Sequence, residues 1–146
     1  LVDMDSVIEK RRGRTISEIF AQDGEAAFRK MERELVGELA QRQGLVITPG
    51  GGIVLDAANI ADFSRTGTVI CLQASPEEIL RRVEKETHRP LLENGDKAAR
   101  IREMLSRRQA LYDAIPLQVH TDGLSPEQVA ERIVALAGRG TSNIEL

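Results

Sequence analysis

Leu45-Val46-Ile47-Thr48-Pro49-Gly50-Gly51-Gly52 is the stretch from which the fold of this chain can be read. A short apolar, β-branched run that ends in a proline and three glycines is a buried strand delivering its carboxyl end into an exposed backbone loop. Three glycines in a row stabilise neither strand nor helix. They permit positive φ, let another molecule approach the main chain with no Cβ in the way, and leave N–H groups to bind oxygens. A plain turn is the bland alternative. In open α/β sheets, however, the ligand crevice lies at the carboxyl ends of the strands, where this loop falls.

Before it, residues 1–5 read as the end of a strand running into two carboxylates, Asp3 and Asp5. A helix is expected over residues 6–12, closed by Gly13, and a second from Thr15, where Thr15-Ile16-Ser17-Glu18 is a capping box. A longer helix over 25–43 carries Phe28, Met31, Leu35 and Leu39 on one stripe and stops at Gly44. After the glycines, Asp56 caps a helix to about Arg65, and a strand spans 68–73. Ser75-Pro76-Glu77-Glu78 starts the next helix, with Ile79, Leu80 and Val83 inward. An irregular segment, 87–96, leads to a helix over 97–113, a strand over 117–121 and a helix capped by Ser125. Strands alternating with helices give the α/β class, a parallel sheet covered by helices on both faces with right-handed crossovers.

The 146 residues suffice for one domain, here residues 1–138, with 139–146 expected as a flexible tail. A net charge of −3 argues against nucleic acid as a partner, and no apolar run reaches membrane-spanning length. Cys71, the only cysteine, sits in an apolar run as a buried structural thiol, which suits a reducing cytoplasm.

Several residues carry possible chemistry. Asp3 and Asp5 alternate on an extended segment, so both would face one side, where they could hold Mg²⁺ through water and orient a hydroxyl; alternatively they complement a helix N-terminus. Arg108 falls on the apolar stripe Ile101, Met104, Leu105, Leu111 and Tyr112. A guanidinium turned inward must meet an anion, unless it snorkels to the rim. Arg29 either serves a site or pairs with Glu25 and Glu32 along its helix. Arg89 lies in the irregular segment, of a kind that often forms lids. His88 and His120 have no metal-ligand spacing and receive no role.

Asp3-x-Asp5, Phe28-Arg29-x-x-Glu32, Gly50-Gly51-Gly52, Arg89-Pro90-Leu91-Leu92 and Arg108 four residues before Tyr112 follow one another as in shikimate kinases, a family this chain resembles over almost its whole length. The resemblance implies a P-loop, nucleoside-monophosphate-kinase-like domain, and transfer of the γ-phosphoryl group of ATP to the 3-hydroxyl of shikimate in chorismate and aromatic amino-acid biosynthesis. It further implies Asp3 near the Mg²⁺ water shell and Asp5 on the shikimate hydroxyls, placed to act as base. Arg29 and Arg108 would clamp the shikimate carboxylate, with Glu32 orienting Arg29. Gly50, Gly51 and Gly52 would contact the ring hydroxyls, Arg89 would close on the phosphates and Arg82 would stack on adenine. ATP and Mg²⁺ are thus the expected cofactors, shikimate the small-molecule partner and a cytoplasmic monomer the expected state.

The family's Gly-x-x-x-x-Gly-Lys-[Ser/Thr] phosphate loop belongs upstream of Asp3 and has no match in these residues. The chain is therefore expected to be a family member truncated at its N-terminus. Thr48-Pro49, where the family commonly has Thr directly before the glycines, is a lesser departure. Two other readings stay open: a non-catalytic small-acid sensor domain of a regulatory protein, and a related kinase with another acceptor.

Overall fold

A computed structural model of the chain describes residues 1–84 and 96–142, with side chains described as far as residue 138. The segment holding His88 and Arg89-Pro90-Leu91-Leu92 lies outside the described residues. The chain begins with strand β1 (Val2–Asp3) and helices α1 (Met4–Arg12), α2 (Ile16–Asp23) and α3 (Glu25–Leu39). Strand β2 (Ile47–Thr48) then leads into a 3-10 turn (Gly51–Leu55) and helix α4 (Ala57–Thr66). Strand β3 (Ile70–Gln73), helices α5 (Pro76–Val83) and α6 (Lys97–Asp113), strand β4 (Leu117–His120) and helix α7 (Pro126–Ser142) follow.

Side-chain caps start most of these helices. Asp3, Thr15, Asp56, Ser75 and Asp96 each accept a backbone N–H from the first turn, satisfying donors that have no intrahelical acceptor. Helix α1 stops at Gly13, whose φ of 65° is the left-handed conformation that glycine adopts without strain.

Three helix boundaries differ from the sequence reading. Asp3 caps α1, so the helix begins at Met4 rather than at Ser6 and the extended segment is too short to hold both aspartates on one side. Helix α3 ends at Leu39, four residues early. There the amides of Gln41 and Arg42 turn back to Glu38 and Leu39, Thr66 Oγ1 donates to the Ala40 carbonyl at 2.9 Å, and the exposed residues beyond have no apolar face to bury. Helix α7 continues past Gly138 to Ser142, because extending an existing helix through a glycine costs only about 1 kcal/mol.

All strand pairing is parallel, as the alternation requires, but among the described residues it forms two ladders rather than one sheet. Val2 and Asp3 pair with Ile47 and Thr48, while residues 70–73 pair with 117–120 in register. The main core joins Met4, Ile19, Leu35, Val36, Ile53 and Cys71, each burial worth about 1.5–3 kcal/mol for the larger side chains. Burial pushes the Cys71 thiol pKa up, as expected of a structural cysteine. A second cluster, Val83 and Ile101 with Met104 and Leu105, joins α5 to α6. Leu111, placed on the inward stripe by the sequence reading, is exposed.

Candidate active site

The glycine stretch is a wound turn, not an open loop. Gly51 begins the 3-10 segment, the Ile53 amide donates to the Gly50 carbonyl at 3.1 Å, and none of Gly50, Gly51 and Gly52 has a positive φ. What the glycines supply is room. A Cβ on Gly50 would lie 3.6 Å from both Asp5 carboxylate oxygens, an ordinary contact. On Gly51 it would lie 3.1 Å from Tyr112 Oη and 4.0 Å from Arg108 Nη1. On Gly52 it would collide with the Arg29 guanidinium. Each glycine thus faces a different candidate site residue, and the turn is where Asp5, Arg29 and Arg108 come together.

These groups line a pocket of about 520 Å³, a volume suited to a small organic ligand. Asp3, Phe20, Phe28 and Glu32 also line it. The Phe20 and Phe28 rings are 5.1 Å apart between centroids, and the Arg29 guanidinium carbon lies 5.2 Å from the Phe28 ring centre.

On α3, both readings of Arg29 hold together. Its guanidinium pairs with Glu25 at 3.2 Å and with Glu32 at 3.2 Å while still lining the pocket. Glu32 is only 2% exposed. Burial pushes its pKa above the ordinary carboxylate value, and the neighbouring Arg29 charge opposes that rise. Arg29 Nε is buried with no hydrogen-bond partner.

On α6, Arg108 is half-buried and points its guanidinium toward the turn, and no carboxylate among the described residues forms an ion pair with it. Its neighbour Arg107 instead bonds Glu103 at 2.5 Å on the exposed side. Tyr112, one turn on, donates its hydroxyl to the Gly51 carbonyl at 2.7 Å.

Asp3 Oδ1 accepts the amides of Asp5 at 3.1 Å and Ser6 at 3.4 Å, so the helix-terminus reading of Asp3 holds. Among the described residues no group of three or more His, Cys, Asp or Glu could hold a metal directly. Asp3 at the pocket wall nevertheless suits Mg²⁺, which keeps most of its waters and takes one or two carboxylates.

Arg82 is not brought to the pocket. It lies on α5, bonded to Glu78 at 2.9 Å and to Thr121 Oγ1 at 3.2 Å. Arg89 lies outside the described residues. Two polar holders of the turn escaped the sequence reading. Tyr112 served only as a landmark, although a polar-tipped aromatic one turn from an inward arginine was a usable signal. Asn59, 1% exposed, donates to the Ile53 carbonyl at 3.1 Å and had no signal in sequence.

A family profile described as shikimate kinase matches residues 1–137. The shikimate kinase of Thermodesulfovibrio yellowstonii is 41% identical over 133 residues, 91% of this chain and 77% of that protein. That of Thermus thermophilus is 42% identical over 134 residues, 91% of this chain and 73% of that protein. Among solved structures, the shikimate kinase from Acinetobacter baumannii in complex with shikimate matches with a TM-score of 0.87 at 32% identity, covering 92% of this chain and 76% of that one. The enzyme from Aquifex aeolicus matches with a TM-score of 0.76 at 29% identity, covering 95% and 82%. The parallel α/β architecture, the glycine turn ringed by Asp5, Arg29 and Arg108, and these likenesses agree: the chain belongs to the shikimate kinase family.

Proposed function

We propose that the protein transfers the γ-phosphoryl group of ATP to the 3-hydroxyl of shikimate, giving shikimate 3-phosphate and ADP. The observation that carries this reading is Arg108, a half-buried guanidinium without an ion-pair partner among the described residues, set beside a glycine turn that also abuts Arg29. Such a charge in a pocket calls for an anionic ligand, and the carboxylate of shikimate supplies one. Arg108 and Arg29 hold that carboxylate. The backbone of Gly50, Gly51 and Gly52 meets the ring hydroxyls, and Asp5, beside Gly50, bonds the attacking hydroxyl and takes its proton.

Asp3 has one carboxylate oxygen engaged in capping α1, and its carboxylate would hold Mg²⁺ through water. That ion, when bound with ATP, supplies neutralisation of phosphate charge. Arg89 adds a further positive charge at the phosphates, and Arg82 stacks on adenine. Phosphoryl transfer depends on positioning and charge neutralisation more than on covalent chemistry, and this set of groups provides both. The reading extends to a cytoplasmic monomer.

Titration calorimetry of the full-length protein should detect shikimate binding, and ³¹P NMR with ATP should show shikimate 3-phosphate forming. Absence of shikimate binding overturns the proposal. Binding without transfer would favour a sensor.

A further inference from the structure

We infer that Tyr112 is a positioning residue for the acceptor: by donating to the Gly51 carbonyl, its hydroxyl fixes the glycine turn relative to Arg108. This role rests on the shikimate reading proposed above. The Tyr112 Oη to Gly51 O distance is 2.7 Å, and a Cβ on Gly51 would come within 3.1 Å of the same oxygen. A side chain at position 51 would therefore crowd the bond. Arg108 precedes Tyr112 by one turn of α6, so the helix that presents the guanidinium also holds the turn.

The rest of α6 explains why such a tie matters. Ile101, Met104 and Leu105 belong to the small cluster with α5, whereas the Tyr112 ring borders the main core. Arg108 lies between these two anchorages, and the tyrosine hydroxyl is the polar link from the helix to the turn. The buried Asn59 also holds the turn, through the Ile53 carbonyl. The Gly51 carbonyl shares a peptide unit with the Gly52 N–H, one of the first donors of the 3-10 segment, which have no partner within it. A donor on the carbonyl polarises that unit and strengthens the N–H toward a ligand oxygen.

The test compares shikimate with cyclohex-1-ene-1-carboxylate, which keeps the carboxylate and lacks the ring hydroxyls. In the full-length protein, Tyr112→Phe keeps the ring and removes the donor. Calorimetry should show shikimate binding weakened about five- to tenfold, the loss of one hydrogen bond, with analogue binding changed less than about twofold. Equal weakening of both ligands, or of neither, overturns the inference. Because Tyr112 is the only tyrosine of these 146 residues, 3-fluorotyrosine incorporation gives a second readout if the variant does not fold. Its ¹⁹F resonance should move on adding shikimate; a signal indifferent to bound shikimate overturns the role. A wild-type protein that binds no shikimate overturns the functional reading itself, and this role with it.

Discussion

The two walls of the pocket treat their arginines in opposite ways. On α3, Arg29 is held by Glu25 and by the buried Glu32, so its charge is compensated and its direction fixed before any ligand arrives. On α6, Arg108 has no ion pair among the described residues and rests beside the turn. One guanidinium is held by carboxylates of its own helix; the other has none bonded to it among the described residues. Pairing lowers what Arg29 gains from a ligand carboxylate but fixes its place, whereas Arg108 can gain more.

If this contrast is right, Arg108→Ala should have the largest effect. Truncating one partner of a buried charged pair costs about 2–5 kcal/mol, so shikimate affinity should fall by roughly thirtyfold or more while ATP affinity hardly changes. Calorimetric titration of each ligand checks this, and equal losses for both would make Arg108 structural.

Next come the glycines, whose space serves both walls. Gly52→Ala places a methyl against the Arg29 guanidinium and should weaken shikimate on the order of tenfold. Gly51→Ala, which crowds Tyr112 Oη at 3.1 Å, should do less, and Gly50→Ala, whose methyl meets Asp5 at 3.6 Å, least. A flat series in binding titrations would separate the turn from the arginines.

Glu32→Gln sharpens the α3 side through pH. The raised Glu32 pKa means that the folded protein holds this proton more tightly than the unfolded chain. Its ionisation therefore subtracts stability as pH rises from the unfolded value through the folded one, and subtracts nothing below the unfolded value. Relative to wild type, thermal stability of Glu32→Gln should improve as pH is raised from 4 to 7, while shikimate affinity at neutral pH falls as Arg29 loses a holder. A stability difference that does not vary with pH would contradict the assigned cause.

The smallest effect on the acceptor should come from Arg82→Ala. Arg82 lies on α5, away from the pocket walls, so shikimate affinity should stay unchanged while the Michaelis constant for ATP rises a few-fold. A change in shikimate binding instead would break the division between the two regions.

Local signals account for most of what could be read in advance. Capping residues act on the amides next to them, so Thr15, Asp56, Ser75 and the full extent of α6 were legible from a few residues each. Helix α3 ended early because its last turn depended on Thr66 and on burial, both contributed by distant parts of the chain. The glycine turn shows the same limit. Composition marked it as a place of close approach, but positive φ was the wrong reason, since what favours glycine is Tyr112 crowding a Cβ at Gly51 and Arg29 standing where one would go at Gly52.

By itself the sequence determined the element order, the parallel pairing it implies, and which side chains were candidates for the site, because periodicity, caps and family motifs are written within short windows. Only the tertiary structure decided that Arg29 lines the pocket while paired, that Arg108 has no ion pair among the described residues, that Glu32 is buried, and that Tyr112 ties α6 to the turn. Those facts depend on contacts across as many as 61 residues of chain, and the charge state and freedom of a side chain follow from what packing places beside it.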